Sequence, residues 1–119
     1  MGYREAMEAA GATVYEFREF GDWQGTWVAL VSFNGSMGWV EGAYGSCSGC
    51  DAYESEFGYS DSEINFQKKL AAFGLHYLES MAIGDELVEE YRRKVKSTYA
   101  SGEEKEILEF LIAKSNSIN

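Results

Sequence analysis

Proline is absent from this 119-residue chain, histidine occurs once, at His76, and cysteine twice, at Cys47 and Cys50. One imidazole and two thiols leave little room for a nucleophile set against a base and an acid. No phosphate loop or nucleophile elbow is present either. Paired carboxylates such as Glu54 with Glu56, or Asp51 with Glu54, could act as acid and base. Nothing separates them from a solvated acidic stretch, so the chain reads as a non-enzyme. No apolar run nears the roughly 18 residues of a membrane-spanning helix. The opening MGYREAMEAAGA has no basic segment leading into an apolar one, so the expected location is the cytoplasm.

Basic residues are scarce in the first half. Residues 1–63 hold eleven acidic groups against Arg4 and Arg18, with no lysine before Lys68, whereas residues 64–119 hold nine acidic and eight basic groups. The formal net charge of −10 therefore sits almost wholly on the first half. An ordinary solvated surface mixes signs, as the second half does. Phosphates are bound through clustered Lys and Arg, so direct nucleic-acid binding is not expected. A basic protein surface is the better partner, and an anionic membrane the worse one. Hydrophobic residues form 45% of the chain, enough for a buried core, and the length suits one domain over 1–119. It divides into an acidic β-rich half (1–61), a helical half (62–115) and a frayed tail (116–119).

The pattern along the chain predicts an α+β fold. Tyr3 to Ala10 can form a short N-terminal helix that Gly11 would end. Ala12 to Phe20, rich in β-branched and aromatic residues, reads as a strand. Thr26 to Phe33 (TWVALVSF) is a second strand with a near-continuous apolar run. Asn34-Gly35 then marks a type I′ turn, and Ser36 to Tyr44 returns as the third strand. This central β-hairpin spans about 26–44. Three C-terminal helices should pack on the small antiparallel sheet. The first, about 62–80, opens with Ser60 and Glu63 at capping-box spacing and shows Phe66, Leu70, Phe73 and Tyr77 on one face. A second runs from Gly84-Asp85 to about Tyr99, with Glu89–Arg93 and Glu90–Lys94 spaced i, i+4 on its outer face. The last starts at Ser101, which forms a capping box with Glu104, and carries Ile107, Leu108, Leu111 and Ile112 inward.

Both cysteines fall in Tyr44-Gly45-Ser46-Cys47-Ser48-Gly49-Cys50-Asp51, a glycine-rich loop directly after a strand. The C-x-x-C spacing lets a tight turn aim two sulfurs at one centre, as zinc half-sites do. A zinc site needs four ligands, and a second cysteine pair is absent. Extending the hairpin register past Gly25 and Tyr44 brings Asp22 opposite Cys47, and Asp51 follows Cys50. The expected metal set is therefore Cys47, Cys50, Asp51 and Asp22, with His76 an alternative ligand. His76 lies roughly 80° from the apolar stripe of its helix at 100° per residue, a boundary position that equally suits a half-buried, hydrogen-bonded histidine. Two other readings of the thiols stay open. One is a redox pair at a helix N-terminus, opposed by the hairpin context and by the lack of a cis-proline. The other is a plain pair of buried thiols.

Aromatics concentrate around the acidic half. Most should be core, but Trp23, Tyr53 and Tyr59 fall in loops. Exposed aromatics ringed by carboxylates make a protein-binding patch, here Trp23 and Tyr53 with Glu54, Glu56 and Asp61.

The segments G-D-W-Q-G-T-W (Gly21 to Trp27) and Y-G-S-C-S-G-C-D-A-Y (Tyr44 to Tyr53) resemble a group of small phage-encoded proteins. Those pair a G-D-[WY]-Q-G segment with a Y-G-S-C-S-G-C-D-A loop. The resemblance covers about residues 20–57, and the helical half matches only in general layout. Small acidic phage proteins of this size are also similar to anti-CRISPR inhibitors. That similarity implies binding to a Cas effector such as Cas9, with carboxylates placed where DNA would lie and a zinc knuckle fixing the binding loop. The expected function is inhibition of a host defence protein by occlusion. The competing classes are a small thiol-redox or other enzyme using Cys47 and Cys50, and a phage structural or assembly protein.

Overall fold

In the computed structural model, which describes residues 2–45, 63–97 and 101–118, the Asn34-Gly35 turn organises the sheet. Asn34 has φ +51° and Gly35 φ +80°, the two left-handed residues that a type I′ turn requires. They join β2 (Gly25–Phe33) to β3 (Ser36–Tyr44). The pairing keeps one register from Phe33–Ser36 through Leu30–Trp39 to Gly25–Tyr44. β1 (Thr13–Gly21) lies antiparallel on the other side of β2. A fourth strand, β4 (Ala82–Ile83), pairs with Gly38 and Trp39; two residues are too few to leave a periodic signal in the sequence. The order is β1-β2-β3-β4.

Helices cover both faces of this sheet. α1 (Tyr3–Ala9) and α2 (Glu63–Leu78) lie on one face, where Tyr3, Met7 and Leu78 pack on Trp27, Ala29, Val31 and Val40. α3 (Glu86–Lys96) and α4 (Gly102–Ile118) lie on the other, where Leu87, Val88, Tyr91, Ile107 and Leu111 meet Val28, Leu30 and Trp39. The apolar run in β2 follows from this arrangement. Trp27 to Val31 are all buried because neither face of the strand meets water. The α+β architecture matches the sequence expectation, with one refinement: the C-terminal helices divide between two layers, and α1 shares its layer with α2.

Element ends follow local chemistry. Gly11, at φ +104°, ends α1, and the Ala12 N–H bonds back to the Met7 carbonyl at 3.0 Å. The Ser101–Glu104 capping box forms in both directions: Glu104 N–H donates to Ser101 Oγ at 3.1 Å, and Ser101 N–H to Glu104 Oε1 at 3.0 Å. α3 is shorter than expected, starting at Glu86 and ending at Lys96, and α4 continues past residue 115 to Ile118. On α3 the expected Glu90–Lys94 pair forms at 3.4 Å, whereas Glu89 takes Arg92, three residues on, at 3.3 Å.

The outer edge of β1 is blunted. The register shifts between Val14 and Glu16, a bulge at the half-exposed Tyr15. The bulge also brings Val14 and Phe17, an odd number of residues apart, onto the same face. Arg4 reaches from α1 to donate to the Val14 carbonyl at 3.4 Å, and Lys114 of α4 pairs with Glu16 at 3.4 Å. A bulge and charged side chains are what keep an edge strand from recruiting another chain.

Candidate functional site

The β1–β2 connection is only three residues long. Gly21 pairs with Gly25, leaving Asp22, Trp23 and Gln24 as the loop. Gly21 sits at φ +97°, and a Cβ on either glycine would run into backbone, at the Gln24 carbonyl or the Phe20 carbonyl. Glycine is therefore required at both positions.

Two long-range bonds fix this end of the sheet. Tyr44, at the end of β3, donates its hydroxyl to the Phe20 carbonyl at 2.7 Å. Glu103, in the first turn of α4, accepts the Thr26 N–H on Oε1 at 3.0 Å. Trp23 projects from the loop so held and is 81% exposed. A side chain so exposed gains little from burial where it stands.

Carboxylates gather here. Burial raises the Tyr44 phenol above its usual pKa, and the negative charges of Glu19, Glu103 and Asp22 raise it further. Tyr91 of α3 donates to Glu41 Oε2 at 2.7 Å. Its pKa is also raised, first by burial, then by that bond and by the charges of Glu41, Glu90 and Glu103. Glu103 thus acts on both tyrosines, Tyr44 in the core on one face of the sheet and Tyr91 in the core on the other. Glu90 is offset by Lys94. Among the described residues no ion pair neutralises Glu19, Asp22, Glu41 or Glu103. Two cations lie over rings nearby: Lys94 Nζ is 4.4 Å from the centre of the Tyr91 ring, and the Arg18 guanidinium 4.8 Å from that of Phe20.

The sequence-derived site residues distribute as follows. Asp22 and Trp23 sit together in the exposed loop, at the end of the sheet where Tyr44 leads into Gly45. Asp22 belongs to the β1–β2 loop and not to an extension of β2, so the ladder that was to set it opposite Cys47 stops at Gly25–Tyr44. Cys47, Cys50, Asp51, Tyr53, Glu54, Glu56 and Asp61 lie outside the described residues. His76 is exposed on α2, its ring edge-on to Tyr77 with centroids 5.5 Å apart. Among the described residues no three potential ligands form a metal group, so Asp22 and His76 do not build one by themselves.

Glu19, Glu41 and Glu103 were missed by the sequence reading. Glu103 could not have been found, because it meets Thr26 across 77 positions of chain and comes from the half whose charges balance. Strand alternation puts Glu19 beside Trp27 and Glu41 beside Val28, on opposite faces of the sheet, so it would not have grouped them. Among the described residues no helix is long and apolar enough to cross a membrane. The chain matches no family model, no curated protein and no solved structure.

Proposed function

We propose that this protein is a non-enzymatic, phage-type inhibitor that docks its acidic sheet end onto a basic, nucleic-acid-handling host protein in the cytoplasm. The observation that carries the reading is the gathering of Glu19, Asp22 and Glu103 around Tyr44, without ion pairs among the described residues, beside the exposed Trp23. The mechanism is occlusion. Carboxylates take the place of backbone phosphates in a basic channel, and the aromatic side chain supplies contact area that salt does not screen. The resemblance to anti-CRISPR inhibitors makes Cas9 the first target to try.

The test is a gel-shift measurement of target-DNA binding by a Cas9–guide complex, with the protein added at increasing concentration and at two salt levels. The wild type should displace DNA, less effectively at high salt. The double reversal Glu19→Lys/Asp22→Lys should weaken that effect by roughly tenfold or more and flatten its salt dependence. DNA binding that ignores the wild type would remove Cas9 as target. Equal potency of wild type and reversal would remove the electrostatic mechanism.

In the same proposal Cys47 and Cys50 hold a structural zinc ion, with Asp51 and Asp22 as oxygen ligands. Support comes from the C-x-x-C spacing and from the place of Asp22 beside the exit of β3. Native mass spectrometry of protein prepared without chelator should find one zinc ion per chain, lost on denaturation. A metal-free chain with reduced thiols would end the zinc assignment and leave the acidic surface standing.

A further inference from the structure

A second feature lies at the opposite end of the sheet, away from the acidic loop. Leu30, Met37, Gly38, Trp39, Gly84, Asp85 and Ser115 line an open cavity of about 150 Å³, a volume that admits a guest of about six heavy atoms. Its lining mixes apolar and polar surface, and two polar groups stand out. Trp39 Nε1 donates to Ser115 Oγ at 3.3 Å, so the indole N–H is spent and the serine hydroxyl proton is left to donate elsewhere. The other is Asp85. It stands at the N-cap of α3 but makes no side-chain capping bond, and no ion pair engages it among the described residues. An N-cap aspartate ordinarily satisfies a backbone donor of the first turn; this one is solvent-exposed and is among the residues that line the cavity.

The rim is unusual as well. Two of the five exposed large hydrophobic side chains on the described surface stand at it: Met37, which lines the cavity, and Ile83, whose partner in the sheet is Gly38. Gly84 has open space where a side chain would stand, which keeps the mouth clear. A neighbouring depression of about 200 Å³ shares Asp85 and Ser115. Its cation, Arg92, is already held by Glu89 at 3.3 Å. No basic side chain lines the first cavity.

We propose that this cavity binds an alkylammonium group, its hydrocarbon stem against Leu30, Met37 and Trp39 and its charged head on the Asp85 carboxylate. An ammonium gains an ion pair with the exposed carboxylate that a neutral guest does not, and an anion would be repelled by it. A ring system larger than benzene would exceed that volume. The class includes free aliphatic amines and the side chain of a lysine on another protein, which share stem and head. The site is independent of the acidic sheet end, and neither proposal needs the other.

The test is a titration of the full chain, ¹⁵N-labelled, followed by amide and indole NMR. The probes are n-butylammonium chloride, n-butanol and Nα-acetyl-lysine methylamide. n-Butylammonium should shift the Trp39 indole N–H and the Gly84 and Asp85 amides saturably. Asp85→Asn should weaken binding by roughly two- to fivefold, while Glu86→Gln, one residue on and outside the lining, should leave it unchanged. Saturable binding of the lysine amide as well would assign the site to a partner's lysine; exclusion of the amide would assign it to free amines. Equal binding of n-butanol and n-butylammonium, or shifts that do not saturate, would overturn the proposal.

Discussion

Replacing Gly74 by alanine should cost about 1–3 kcal/mol of folding stability, the reverse of the gain of about 1 kcal/mol that helix propensity alone gives. Gly74 lies in the middle of α2, where alanine is ordinarily the better residue. Here the helix backbone passes directly against α1. A Cβ at position 74 would collide with the Ala6 carbonyl and come within 2.7 Å of the Met7 amide nitrogen. Those are backbone atoms, so no rotamer change can relieve the overlap.

The two helices would have to part, and α1 has little else to hold it. It is seven residues long and docks through Tyr3, Ala6 and Met7, all buried. Tyr3 in turn touches Trp27, Phe73 and Tyr77, with ring centroids 5.1, 5.8 and 5.7 Å away. Urea unfolding followed by far-UV circular dichroism should therefore show a lower midpoint with an unchanged slope. A variant as stable as the wild type would mean that the helices do not approach this closely.

The second large effect is expected at Trp27. Its side chain is fully buried, stacked on Phe17 at 5.4 Å and met edge-on by Tyr77 at 5.3 Å. Trp27→Ala removes the largest fully buried side chain of the described core and should cost about 3–5 kcal/mol. That is a large part of the 5–15 kcal/mol, roughly, that holds a domain of this size together.

Trp27→Phe should be much milder. The indole Nε1–H is buried and has no hydrogen-bond partner among the described residues, and an unmet donor costs about 1–3 kcal/mol. Phenylalanine discards that cost along with some volume. The same unfolding measurement on both variants checks the pair. Equal losses in Trp27→Ala and Trp27→Phe would show that the N–H contributes more than its surroundings indicate.

Much of this fold was legible because its strongest signals are local. Asn34-Gly35 sets a turn and, through it, nine paired positions from Phe33–Ser36 to Gly25–Tyr44. Ser101 and Glu104 carry a helix start within four residues of sequence. What escaped depends on contacts that sequence spacing does not encode. The bulge at Tyr15 reverses which face the following residues use, so strict alternation misassigns either Val14 or Phe17. β4 exists only because Gly38, with no side chain, lets Ala82 come close. At the candidate site, Asp22 and Trp23 stood out by type and position. Glu103 did not, since only the tertiary fold brings α4 to the hairpin.

The sequence divides by charge near residue 62, yet the molecule cannot be divided there. β2 is a partition one backbone thick, sending Trp27, Ala29 and Val31 into one compartment and Val28 and Leu30 into the other. Residues 1–61 on their own would keep the partition and lose α2, α3 and α4, laying bare one whole face and part of the other. Monomeric proteins rarely expose an apolar area of that extent. Residues 62–119 would keep three helices with no wall to lean on. The acidic end can therefore be studied, displayed or fused only as part of the entire chain.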